Sequence, residues 1–147
     1  MLSRKGLNMS DEFKISLAQL NATVGDLSGN TQKVMEAWEI ARDQRSDLIA
    51  FPELFITGYN PQDLILKTAF QKAATSSIDQ IAKACAQGPA IAIGGPFYDE
   101  NKLYNSYYIL ADGKIQAVIK KHHLPNEEVF DEVRLFSSGN VDGPFQI

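Results

Sequence analysis

Glu53 directly follows Pro52 in the segment FPELFITGY, and Pro52 itself closes a short apolar run, DLIAF at 47–51. A carboxylate at the C-terminal end of a buried strand lies where open α/β sheets place their ligand sites. Burial there would disfavour the charged form, raise the pKa and suit the group to general-base work near neutral pH. The plainer reading is a surface-loop glutamate beside a turn. A second cluster, KKHHLPN at 120–126, holds two lysines and both histidines of the chain. Strand alternation sends Lys120 and Lys121 to opposite faces, so only one can point inward. An inward lysine beside a buried glutamate would be held as a cation able to stabilise an oxyanion. Otherwise the cluster is a basic, solvated strand end. Adjacent His122 and His123 diverge on a strand and have no third histidine to join them, so no metal site is expected. A third segment, VFDEVRLFSSGN at 129–140, sets Asp131, Glu132 and Arg134 between Phe130 and Phe136. By composition it is an amphipathic turn with a salt-bridged surface.

These groups need elements to position them. FKISLAQL at 13–20 alternates and then runs into VGDLSGN, which predicts a strand ending in a loop. Asn30 or Thr31 can cap a helix over about 31–45, whose apolar face is Val34, Ala37, Trp38 and Ala41. Lys33, Glu36, Glu39 and Arg42 form its solvated flank. The run at 47–51 is a strand buried between layers, so a parallel pair joined by a crossover helix is expected. A helical segment over 62–87 stops at Gly88-Pro89, and AIAIGG at 90–95 is another buried strand. From Leu103 to Lys120 the chain alternates around Asp112-Gly113, a two-residue signal for a type I′ hairpin. VDGPFQI at the end is the entry to a further strand. The class is α/β, with helices outside a sheet.

Composition excludes several functions. The 147 residues are 44% hydrophobic and 22% charged, an ordinary globular balance for one domain. A net charge of −4 disfavours nucleic acid as a partner. Apolar stretches such as 47–51 and 89–93 fall far short of the roughly 20 residues that span a bilayer, so no membrane partner is expected. MLSRKGLNMSDEF has no apolar h-region of a secretory signal. The single cysteine, Cys85, agrees with a reducing, cytoplasmic location. It lies in the helical stretch KACAQG and is expected to be a small buried apolar group.

Read together, the segments resemble the nitrilase superfamily of carbon-nitrogen hydrolases, from about Phe13 to the last residue. That family carries a glutamate in an FPE motif after a buried strand, a lysine in a K-x-x-L segment after a hairpin, and later a cysteine. FPEL supplies Glu53, and Lys121-His122-His123-Leu124 supplies the lysine, which selects Lys121 over Lys120. GYNPQDLIL at 58–66 and KHHLPNEEVFDEVRLF at 121–136 are similar, more narrowly, to the glutaminase domain of glutamine-dependent NAD synthetase. The resemblance implies a nitrilase-like αββα sandwich, here only its N-terminal part. Residues 1–12 would be a disordered leader, with Met9 a candidate start, and 13–147 a domain incomplete at its C-terminus. A truncated sandwich would expose apolar sheet surface.

The resemblance also implies a mechanism. A cysteine thiolate attacks the side-chain amide of glutamine, forms a thioester and releases ammonia, and water then releases glutamate. Glu53 would be the base and Lys121 the stabiliser of the oxyanion. Glu132, at the place of the superfamily's additional acidic residue ahead of the glycine matched by Gly139, would support that geometry. Tyr59 and Phe130 match positions that line the glutamine pocket. The implied partners are glutamine, a separate synthetase domain and further copies of the intact protein in a homo-oligomer. No cofactor belongs to this domain; ATP and magnesium would serve the synthetase domain, which amidates nicotinic acid adenine dinucleotide.

Two departures stand out. Cys85 precedes both the lysine and the acidic segment, so it cannot be the nucleophile by motif; the nucleophile is expected beyond Ile147, and these residues alone are expected to be inactive. Relatives usually show tyrosine and glycine where this chain has Glu127 and Glu128. Other readings are a standalone superfamily amidase or carbamoylase, a non-catalytic α/β module, and a nucleotide-binding domain. The last lacks any G-x-G-x-x-G or G-x-x-x-x-G-K-S/T motif after a strand.

Overall fold

The computed structural model describes residues 12–128, 130–141 and 143–144. Residues 1–11, which include most of the expected leader and Met9, and the end of the expected final strand lie outside the described residues. Among the described residues, five strands form one sheet in the order of the sequence: β1 (Ile15–Leu17), β2 (Leu48–Ala50), β3 (Ala90–Asp99), β4 (Lys102–Ala111) and β5 (Lys114–Lys120). β1, β2 and β3 are parallel, whereas β4 and β5 run antiparallel to their neighbours. Helix α1 (Leu27–Asp43) connects β1 to β2, and α2 (Thr68–Ala84) lies between β2 and β3, preceded by a 3-10 helix over Gln62–Leu66. A four-residue helix, α3 (Glu132–Leu135), follows the sheet.

Both long helices cover one face of the sheet. Val34 and Trp38 of α1 and Ala74, Ile78 and Ile81 of α2 pack on Ile49, Ile91, Ile93, Tyr108 and Leu110. Trp38 is fixed further by donating from Nε1 to the carbonyl of Pro89 at 2.9 Å. Alternation along the strands sends Ile15 and Leu17 to the other face, where they are exposed. One helical layer and one sheet of the sandwich are therefore present among the described residues, and the opposite face is open at Ile15 and Leu17 while its far end, around Leu103 and Asn105, is buried.

Three local expectations are corrected. Helix α1 begins a turn before Asn30 and Thr31, because Asp26 caps it by accepting from the Gly29 amide at 2.9 Å. Asn30 is instead fully buried, accepting from the Thr23 amide and donating to the carbonyls of Thr23 and Ile56. The helical segment 62–87 is divided at Lys67, whose extended backbone separates the 3-10 turn from α2. Strand β3 does not end at Gly95 but passes through Pro96 to Asp99. Gly94 donates to Pro52 on the β2 side, so Pro96, two residues on, turns its missing donor to the same side, where β2 has already ended. The β3–β4 turn at Glu100-Asn101 has φ of 47° and 64° in both positions, like Asp112-Gly113 at 53° and 75° in the expected hairpin.

The turn that carries Glu53 crosses β3 at Gly94. A Cβ there would stand 2.2 Å from the Leu54 nitrogen and 2.7 Å from Glu53 Cα, so only glycine permits the crossing. Gly94→Ala should therefore lose about 1–3 kcal/mol of stability, the usual range for overpacking. Gly143→Ala, with nothing within 4 Å of the new atom, is the control. Urea unfolding followed through Trp38 fluorescence measures both, and equal midpoints would contradict the crossing.

Candidate active site

The site forms where three segments distant in sequence meet. Glu53 arrives on the turn after β2, which Tyr107 steadies by donating from its hydroxyl to the Phe51 carbonyl at 2.6 Å. Lys121 follows β5, and its amide donates to the Asn105 carbonyl at 2.8 Å, extending the β4–β5 pairing by one step. Glu132 opens α3, with its amide 3.2 Å from the Pro125 carbonyl. A second apolar cluster, Leu54, Ile65, Leu103, Leu135 and Phe136, packs the Glu53 turn against α3. The chain after α3 then folds back along Lys121, whose carbonyl accepts from Gly139 at 2.9 Å. A Cβ at Gly139 would lie 2.4 Å from Lys120 Cβ, so this approach also requires glycine.

Lys121 Nζ sits 2.7 Å from Glu53 Oε1 and 3.0 Å from the Glu132 carboxylate. Burial alone pulls the Lys121 pKa down, but its hydrogen bonds to Glu53 and Glu132, and their charges, outweigh this and leave it above 10.5. The ammonium therefore stays charged at neutral pH. The Glu132 side chain is only 4% exposed, whereas that of Glu53 is 43% exposed. The buried glutamate expected at position 53 is thus an accessible one, and the buried carboxylate of the site is Glu132. Two carboxylates around one ammonium, beside a cleft of about 260 Å³ lined by Glu53, Asn105, Ser106, Tyr107, Ile119 and Lys121, can move a proton and stabilise an anion at one place.

A family model for carbon-nitrogen hydrolases matches residues 14–146, nearly the whole chain. The chain belongs to the carbon-nitrogen hydrolase family. It is 48% identical over 139 residues to the glutamine-dependent NAD(+) synthetase of Rhodobacter capsulatus, covering 95% of this chain and 25% of that protein. A structure of glutamine-dependent NAD+ synthetase from Acinetobacter baumannii superposes with a TM-score of 0.86 at 35% identity, over 92% of this chain and 26% of that one. An amidase from Nesterenkonia sp. AN1, whose structure shows acrylamide added at its active site cysteine, shares the fold at a TM-score of 0.76 and 23% identity, over 90% of this chain and 52% of that one. The chain spans about a quarter of the length of the curated relatives it matches.

Other residues of this carbon-nitrogen hydrolase chain are placed as follows. Lys120 points away from the site, paired with Asp99 at 2.8 Å and lying over the Phe97 and Tyr104 rings. Tyr59 is within electrostatic reach: its pKa is raised by burial first and then by Glu132 and Glu53, with Lys121 opposing. Phe130 is 41% exposed and borders a neighbouring groove with Leu124, Pro125, Asn126, Glu127 and Glu128 rather than the Glu53 cleft. Glu128 has φ of 55°, the left-handed region that suits glycine, a physical reason for the glycine of the family pattern. Arg134 pairs with Asp63 of the 3-10 turn and with Asp131, tying α3 to the GYNPQDL loop. His122 Nδ1 donates to the Gly139 carbonyl at 2.7 Å, and its ring meets that of His123 edge-on. No three His, Cys, Asp or Glu side chains gather as metal ligands among the described residues, and no helix there is long and apolar enough to cross a membrane.

Cys85 caps the C-terminus of α2 and is 6% exposed, part of the core between the helices and the sheet. Burial, then the charge of Glu39, pushes its thiol up to about 11 although Arg42 opposes. Asn105 belongs to the site although no motif points to it. It is 2% exposed in β4, and its Nδ2 donates to Glu53 Oε1 and lies 3.5 Å from Glu132 Oε2. Its one signal in the sequence is an amide side chain within an otherwise buried strand.

Replacing Lys121 by Met should cost about 2 kcal/mol, as for a hydrogen bond lost to a charged group, because it leaves the nearly buried Glu132 carboxylate without its cation. The double variant Lys121→Met/Glu132→Gln should recover most of that loss, which a double-mutant cycle in urea reads directly. The folded-state pKa of Lys121 lies above 10.5, so its stabilisation is complete below pH 10.5 and fades as pH rises beyond it. Parent and Lys121→Met stabilities should converge there; a gap unchanged by pH would contradict the ion pairs.

Proposed function

We propose that the chain is the glutamine amidohydrolase part of a glutamine-dependent NAD synthetase. The observation that carries this reading is the Glu53–Lys121–Glu132 cluster beside an open cleft, in a chain whose relatives bear that name. Glutamine is the substrate, bound with its side-chain amide near Lys121 in the Glu53 cleft, with Tyr59 within electrostatic reach of the cluster and Phe130 in the neighbouring groove. A cysteine thiol supplied outside these residues gives its proton to Glu53, and its sulfur attacks the amide carbon. Lys121 Nζ stabilises the oxyanion. The C–N bond breaks as nitrogen takes the proton from Glu53 and leaves as ammonia. Water then gives a proton to Glu53 and its oxygen to the thioester, and the thiolate departs with that proton, leaving glutamate. Glu132 fixes Lys121 between the two carboxylates.

Ammonia would pass to a synthetase domain of the same polypeptide, where ATP and magnesium drive amidation of nicotinic acid adenine dinucleotide; no step at Glu53 draws on them. On this reading Cys85, buried and held as a thiol, takes no part, and the described residues alone do not hydrolyse glutamine. The intact polypeptide is cytoplasmic and forms homo-oligomers.

The test compares nitrogen donors in the intact polypeptide. Glu53→Gln and Lys121→Ala should each lower glutamine-driven NAD formation by about 100-fold or more while ammonia-driven formation persists. Loss of both activities would count against confining these residues to the glutaminase step, and amidase activity without NAD formation would favour a standalone amidase.

A further inference from the structure

Asn105 stands opposite Pro96 near the centre of β4 and contacts both carboxylates of the site and the backbone of Lys121. Its carbonyl accepts from the Lys121 amide at 2.8 Å, which fixes where the lysine leaves the sheet. Its side-chain amide donates to Glu53 Oε1 and reaches Glu132 Oε2 at 3.5 Å. Lys121 Nζ donates to the same Glu53 oxygen at 2.7 Å. Two donors thus converge on Oε1, while Glu53 Oε2 has no hydrogen-bond partner among the described residues. The two oxygens of one carboxylate are made unequal.

We propose that Asn105 is a positioning residue for glutamine hydrolysis, holding Glu53 by Oε1 so that Oε2 is the oxygen that receives the thiol proton. The role rests on the glutaminase reading above and deepens it. An amide suits it because it donates without adding charge. A second cation would neutralise the site and weaken the base, and a carboxylate of the same size would repel both Glu53 and Glu132. At 2% exposure the amide is also locked by its surroundings, so the direction it imposes on Glu53 is fixed before substrate binds.

The test uses the intact polypeptide with glutamine and with ammonia as nitrogen donor. Asn105→Ala should lower kcat with glutamine by about 10- to 100-fold, the usual effect of removing a supporting hydrogen bond, with KM little changed. A carboxylate that loses a donor binds its proton more readily, so the acid limb of kcat/KM should move to higher pH. Asn105→Asp, equal in size, should move it further by adding like charge. Ammonia-driven activity should be unchanged in both. An acid limb that stays in place in the folded variants overturns the proposal, as does an equal loss with ammonia. Should Asn105→Ala fail to fold, Asn105→Asp and Asn105→Ser decide by the same readout, and unfolding of all three assigns Asn105 to the scaffold and overturns the role. A parent polypeptide that uses ammonia but never glutamine defeats the glutaminase reading itself, whereas active parent with unshifted variants defeats only the role of Asn105.

Discussion

A carboxylate as buried as that of Glu132 persists in a folded protein only beside a cation and donors, and Lys121 Nζ at 3.0 Å is that cation. Much of the surrounding architecture follows from keeping this ammonium between two carboxylates drawn from far along the chain. The β4–β5 pairing delivers Lys121 one residue past the end of β5. Gly94 lets the Glu53 turn lie against β3, and Gly139 lets the returning chain close on Lys120 and Lys121. The small cluster of Leu54, Ile65, Leu103, Leu135 and Phe136 clamps the elements that bear the two carboxylates. With two anions and one cation, the cluster keeps one net negative charge, the state from which a proton can be accepted.

The two faces of the sheet divide the labour. One is filled by Trp38, Ile78, Ile91 and Tyr108 under the helices and supplies the stability. The other carries Asn105 and Lys121 at one end and the exposed Ile15 and Leu17 at the opposite edge. Asn105 and Lys121 therefore stand on or directly beside a strand backed by a packed layer, and the second apolar cluster holds the turn and the short helix that bring Glu53 and Glu132 to them.

Whatever leaves a local mark on the chain is legible in its residues. The apolar run before Pro52, the Asp112-Gly113 turn and the alternation from Leu103 to Lys120 suffice to set Glu53 and Lys121 at strand ends, and the family motif chooses between the two lysines. Features set by tertiary contacts leave no such mark. Asn30 has the composition of a helix cap but spends its amide on Thr23 and Ile56, so Asp26 does the capping. Glu100-Asn101 turns the chain without a glycine to advertise it. The exposure of Glu53 and the burial of Glu132 depend on α3 folding back over the 3-10 turn, which no periodicity records. Asn105 is the sharpest case, since its partners are 52 and 27 residues away.

The helix-side location of Cys85 has a chemical corollary. With its thiol pushed up to about 11, almost none of it is thiolate at neutral pH, and at 6% exposure electrophiles have little access to it. It is a silent sulfur, so iodoacetamide or maleimide added to the folded protein under mild conditions will leave it unlabelled, and it becomes reactive only when the layer between the helices and the sheet opens.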